Sequence, residues 1–161
     1  MASERIGWPV VEHAARTATA AVVSLLVSRL FRLPESYWAP ITTLVITQSS
    51  LGAALAVSRE RLAGTALGAL TGAIMASYFG PSVPVFGAAL FALGLVCALV
   101  RSDRSAYRFG GVALAIVLLV SRPGSPWQIA FHRFVEVSIG IGVALILAVV
   151  WPEKDATPAG M

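Results

Sequence analysis

Residues 37–72 read YWAPITTLVITQSSLGAALAVSRERLAGTALGALTG, two apolar runs joined by the charged tetrapeptide Ser58-Arg59-Glu60-Arg61. The first run carries many hydroxyls for so hydrophobic a segment. In the second, small residues recur at every fourth position. The stretch therefore reads as a membrane hairpin, turning at the charged tetrapeptide, with the remaining segments arranged around it.

Composition supports that reading. Apolar residues make up 57% of the 161 and charged residues 12%, against roughly 45–50% and about 25% in soluble globular domains. So few charges cannot coat a soluble particle of this size, and the bilayer is the solvent the sequence expects. The net charge of +4 does not indicate nucleic acid. A groove binder clusters its basic residues among aromatics, whereas here they stand singly at the ends of apolar segments, where they act as topology signals. The single cysteine, Cys97, allows no disulfide within the chain and reads as a small packing residue. Arg16 and Arg29 bracket the first apolar run with no small-x-small site after it, so the start does not read as a cleaved signal.

Working outward, the apolar segments are six: 11–31, 38–57, 62–79, 83–100, 107–120 and 129–151. The predicted fold is all-α, a polytopic membrane protein of six transmembrane helices. A short cytoplasmic N-terminus (1–10) precedes the six-helix domain (11–151), and a polar tail (152–161) follows it. With the N-terminus inside, Arg5, Arg16, Arg59, Arg61, Arg101, Arg104, Arg108 and Lys154 share the cytoplasmic side, against Arg29, Arg32, Arg122 and Arg133 on the other. That bias places both termini in the cytoplasm.

Several positions carry polar groups at membrane depth. Thr43, Thr47 and Ser50 stand at i, i+4 and i+7, with Gln48 beside them. Such a hydroxyl stripe is either the lining of a pathway or interhelical glue. Gly64, Gly68, Gly72, Ala76 and Gly80 form a four-residue repeat, which lets a neighbouring backbone approach closely. The motif GxxxxGK[ST] is absent, so the glycines are no phosphate cradle.

The last segment lies between Trp127 and Trp151, a helical rise of about 36 Å, close to interface-to-interface. Arg133 then lies about 9 Å and Glu136 about 13 Å inward from Trp127, deep enough to be expensive. His132, Glu136, Gly140, Ala144 and Ala148 make one i,i+4 line, which should look into protein. The Arg133–Glu136 pair is either a structural brace or part of a site. In segment one, Glu12 and Arg16 have the i,i+4 spacing of a local ion pair.

A faint internal symmetry accompanies these features. Tyr37 precedes Arg61 by 24 residues and Tyr107 precedes Arg133 by 26, and each arginine has a glycine seven residues later, Gly68 and Gly140. Three spans separate the copies, so the spacing admits an inverted 3+3 repeat, an arrangement common in secondary transporters.

The segment YWAPITTLVITQSSLGAAL, followed by RERLAGTALGALTG, resembles the fusaric-acid-resistance and aromatic-acid-exporter family of inner-membrane proteins. The resemblance is carried by Tyr37-Trp38-Ala39-Pro40, Thr43, Gln48, Arg61, Gly64-Thr65 and Gly68, with Arg133, Gly140 and Trp151-Pro152. It implies a six-span module of the bacterial inner membrane that exports aromatic or other organic acids using the proton gradient. The aluminium-activated malate channels of plants are distantly similar, which implies an anion channel instead. This chain has one six-helix set rather than two and no sizeable cytoplasmic domain. The expected assembly is therefore a homo-oligomer, most simply a dimer.

On the leading reading, Arg61 and Arg133 attract a small organic anion, Glu136 or His132 exchanges a proton, and Thr43, Thr47, Gln48 and Ser50 line the path. Gly64, Gly68, Gly72 and Gly140 pack helices. The alternatives are a passive anion channel and a non-transporting subunit of a membrane assembly. With no metal cluster, nucleophile–base pair or nucleotide loop in the sequence, neither an enzyme nor a bound cofactor or metal is expected. The expected partners are the lipid bilayer, the anion and a second copy.

Overall fold

A computed structural model of the chain describes residues 8–47, 50–100, 104–120 and 123–152. These form six helices: α1 (Trp8–Leu30), α2 (Trp38–Ile46), α3 (Leu51–Phe79), α4 (Val83–Leu99), α5 (Arg104–Leu119) and α6 (Pro126–Val150). Three of them, at Val10–Leu30, Leu51–Phe79 and Pro126–Val150, are long and apolar enough to cross a membrane. Gln48 lies outside the described residues, as do most of the expected tails.

Local sequence sets the helix starts. The Ser50, Ser82 and Ser125 side chains accept from the backbone N–H groups of Ala53, Val85 and Gln128, each satisfying a donor that the first turn leaves orphaned. At α6 the Gln128 side chain also accepts from the Ser125 N–H, completing a capping box, and Pro126 occupies the first turn.

The expected hairpin is not there. α2 ends at Ile46, α3 starts at Leu51 and Ser58-Arg59-Glu60-Arg61 is helical, so the segment expected at 38–57 is divided between a nine-residue α2 and the start of α3. The charged tetrapeptide lies inside the 29-residue α3. Arg and Glu are good helix formers, and the tetrapeptide has neither Gly nor Pro to stop a helix. Thr47-Gln48-Ser49-Ser50, by contrast, is a run of side chains that compete for backbone hydrogen bonds. Thr47 is extended (ψ 96°) and Ser50 caps the next helix. At about 13 Å, α2 covers less than half a bilayer core, whereas α3 extends about 43 Å. Arg59 and Arg61 are therefore helix residues rather than loop charges, and the cytoplasmic count loses both.

Contacts between residues give the directions of the helices. The glycine face of α3 lies on α5, with Gly64 against Ala106, Gly68 against Gly110 and Gly72 against Leu114, so these two run parallel. Parallel packing also joins α2 to α6. Ala39 lies on Gly140, and Ile46 shares a core with Val137, Ile141 and Ala144. The long helices α3 and α6 run antiparallel, since Ala54 clusters with Ala144 at one end and Ala69 and Ala73 with Ala130 at the other. The start of α1 meets the end of α6, where Trp151 Nε1 donates to Glu12 Oε1 at 3.1 Å. α4 packs antiparallel on α5 through Leu90, Leu93 and Gly94, against Gly111, Gly110 and Tyr107. The bundle thus has a central antiparallel pair, each member with a short parallel companion.

Candidate functional site

Both central helices carry an arginine into the protein interior. Arg61 is 7% exposed and Arg133 2%, and burying either is costly unless something compensates the charge. The compensation differs. The Arg61 Nη2 donates to Thr42 Oγ1 at 3.1 Å, and its guanidinium lies 4.9 Å from the Phe109 ring centroid. Its Nε is buried with no hydrogen-bond partner. Among the described residues no carboxylate pairs with it.

Arg133 has a fuller set of partners. Its guanidinium lies 3.6 Å over the Trp38 ring, a cation–π contact worth about 2 kcal/mol when desolvated. Its Nη1 stands 3.6 Å from Glu136 Oε2. Glu136 is fully buried, and its Oε1 accepts from the Glu35 backbone N–H at 3.1 Å. The Glu35 side chain in turn fixes the aromatics, accepting from Trp38 Nε1 and from the Tyr37 hydroxyl, each at 3.0 Å.

Two cavities meet at Arg133. The larger, ≈ 180 Å³, is lined by Trp38, Ile41, Arg61, Thr65, Phe109, Val112, Ala113, Arg133 and Val137. An apolar cavity of about 150 Å³ holds a benzene ring, so this one has room for a ring bearing a carboxylate. Its walls are apolar and aromatic, and its charged groups are two cations, a chemistry suited to an apolar anion. The smaller, ≈ 90 Å³, lies on the side of the two proline loops and is bounded by Pro34, Glu35, Pro123, Gln128, Ile129, His132, Arg133 and Glu136.

Most of the larger cavity's lining falls into pairs. Trp38 and Phe109, Ile41 and Val112, Arg61 and Arg133, and Thr65 and Val137 are each separated by 71 or 72 residues. Arg61 stacks on Phe109 and Arg133 on Trp38. The pairing breaks where charge is concerned: Glu136 stands where the other half has Gly64, packed on the Ala106 backbone.

The residues expected to line a path are brought together only in part. Arg61 and Arg133 share the larger cavity, while His132 and Glu136 border the smaller one with Arg133. Thr43, Thr47 and Ser50 do not form one helical stripe, because α2 ends between them. Thr43 Oγ1 lies 3.0 Å from the carbonyls of both Ala39 and Gly140, Thr47 Oγ1 donates to the Thr43 carbonyl at 2.8 Å, and Ser50 caps α3. The Thr42 hydroxyl accepts from Arg61, and Thr65 lines the larger cavity. Thr42, Phe109 and Glu35 were not among the residues expected to line a path, and Trp38 and Thr65 entered only as carriers of the family resemblance. The one available signal was the register that pairs Trp38 with Phe109.

The sequence profile described as fusaric acid resistance protein-like matches residues 20–147. Inner membrane protein YeeA of Escherichia coli (strain K12) is 26% identical over 147 residues, covering 89% of this chain and 42% of its own length. The uncharacterized transporter YdhK of the same strain is 27% identical over 155 residues, covering 90% of this chain and 23% of its own length. The chain thus spans less than half the length of these curated relatives. No solved structure matches it.

Proposed function

The chain belongs to the fusaric acid resistance protein-like family, and from that premise we infer that it carries small organic anions, aromatic acids among them, across a bacterial inner membrane. The observation that carries this reading is the larger cavity, faced by two buried guanidiniums, of which Arg61 has no carboxylate partner among the described residues. A buried cation left without a counter-charge is costly, and a bound anion is the natural compensation. Room for a ring between Trp38 and Phe109 supports aromatic or similarly apolar acids.

The helix directions and the paired lining support two inverted halves, α1–α3 and α4–α6, with the anion at their interface. In this reading all six helices lie within the membrane domain 11–151, both termini are cytoplasmic, and a homodimer forms. Transport then involves rocking one half against the other around the arginine pair, as in other inverted-repeat carriers. Arg61 and Arg133 bind the carboxylate, Thr42 and Thr65 offer hydroxyls, and Glu136, with His132 nearby, handles the proton.

Reconstitution of the purified protein into liposomes tests this. Benzoate should be transported, malate more slowly and chloride least, with rates that respond to an imposed proton gradient. Benzoate currents indifferent to that gradient would indicate a passive channel. No flux of any anion under any gradient would contradict transport altogether.

A further inference from the structure

We propose that the larger cavity opens sideways into the hydrocarbon of the bilayer, through a gap between Ile41 and Val112. The acids it takes then include fatty acids, whose chain is longer than the cavity and stays in the lipid. This rests on the anion site proposed above and adds a class of acid. Of the nine residues that line the cavity only Ile41 and Val112 are exposed, at 39% and 49%, while both arginines are buried. The exposed two are one of the pairs 71 residues apart, with Ile41 on α2 and Val112 on α5. Among the described residues α2 and α5 do not touch each other. Each is held instead on its own long companion, α6 or α3, and the space between the two short helices leads to the cavity.

The depth of that gap decides what lies outside it. Gly140 is 13 residues from Trp127 and 11 from Trp151, near the middle of a helix that reaches from interface to interface. Ala39 and Thr42 of α2 pack on Gly140, so Ile41, between them in sequence, lies near the bilayer centre. Val112 stands halfway along α5, about 10–12 Å from either end. The next exposed residue on α2, Leu44, is apolar as well. On α5, Arg108 is exposed one turn nearer the helix start, close enough to the end for its long side chain to reach the interface. The rim at this depth is therefore apolar, and lipid chains are its natural surroundings.

A carboxylate between Arg61 and Arg133 leaves the first carbons of its chain between Trp38 and Phe109. In a sealed cavity, further methylenes would have to displace packed side chains. Here they pass between Ile41 and Val112 into a medium as apolar as themselves. Each methylene that leaves water for that medium strengthens binding about fourfold. The far end of the molecule has to be apolar too, because a second charge there would stand in hydrocarbon. Long-chain monocarboxylates meet both conditions.

The test is competition against radiolabelled benzoate by the full chain in phospholipid nanodiscs, with each competitor's affinity referred to its free aqueous concentration. From octanoate to dodecanoate the affinity should rise roughly 200-fold, about fourfold for each of the added methylenes. Dodecanedioate, of the same length, should compete roughly 100-fold more weakly than dodecanoate. Ile41→Trp and Val112→Trp fill the gap from opposite sides. Each should cut the ratio of dodecanoate to benzoate affinity by about tenfold or more. Leu44→Trp, exposed on α2 but outside the cavity lining, should keep the ratio. Three results would overturn the sideways opening and leave the anion site standing: affinity that levels off or falls beyond octanoate, dodecanedioate competing as well as dodecanoate, or a ratio unchanged in both cavity variants. No benzoate bound by wild type would overturn both.

Discussion

Replacing Arg61 by glutamine should weaken the proposed anion binding about 100-fold, equivalent to roughly 2.7 kcal/mol, within the cost of removing one partner of a buried charged contact. The same substitution leaves thermal stability unchanged or raises it. In the empty protein Arg61 has a hydroxyl and an aromatic face but no counter-charge among the described residues, so the bundle carries a desolvated cation for which it gets little in return. Glutamine keeps a donor for Thr42 and removes the charge. Arg133→Gln should behave differently. It removes the guanidinium beside the fully buried Glu136 and empties the space over Trp38, so it should cost about 3–5 kcal/mol of stability as well as binding. Benzoate titration alongside thermal unfolding in one detergent separates the two cases. Equal destabilisation by both substitutions would mean that Arg61 is a brace like any other.

Gly68→Ala gives the second large effect. A Cβ at Gly68 would overlap the Gly110 carbonyl oxygen, with the Gly110 carbonyl carbon at 2.5 Å and its Cα at 2.6 Å. None of these is the end of a flexible side chain. α3 and α5 must therefore separate, and since Arg61 on α3 stacks on Phe109 of α5, the cavity wall opens with them. Overpacking of this kind costs about 3 kcal/mol or more, far beyond the helix-propensity gain of about 1 kcal/mol from replacing glycine. Gly142 supplies the contrast. A Cβ there meets nothing within 4 Å, so Gly142→Ala should be neutral or stabilising by up to about 1 kcal/mol. Thermal midpoints of the two variants check this directly.

These expectations differ in how far they could be read from the sequence. The glycine register of α3 was visible because close packing in lipid demands small residues at i and i+4. The depth of Arg133 and Glu136 followed from two tryptophans that frame a helix of bilayer length. Arg61 was recognised as a candidate but placed at the mouth of a helix, because Ser58-Arg59-Glu60-Arg61 resembles a turn by charge alone. Helix propensity argues otherwise, and the run Thr47-Gln48-Ser49-Ser50 was the better place to break the chain. That same break disperses the hydroxyl stripe, whose i,i+4,i+7 logic assumed an unbroken helix. The aromatic partners of the arginines could not be found from local pattern at all, since Trp38 meets Arg133 and Phe109 meets Arg61 only when the two halves interlock.

The asymmetry between the halves matters more than their likeness. Both supply an arginine and an aromatic to the larger cavity, and the second also has a carboxylate, Glu136, on the smaller cavity, at the position that Gly64 holds in the first. Glu136 at that position stands beside Arg133, while Arg61 has no carboxylate partner among the described residues.

The central claim is that the anion sits between Arg61 and Arg133, and crystallographic location of 4-bromobenzoate by the anomalous signal of its bromine tests it most directly. A bromine peak is expected within the cavity between the Trp38 and Phe109 rings, with the carboxylate turned toward the two guanidiniums. A peak elsewhere on the molecule, with that cavity empty, would contradict it.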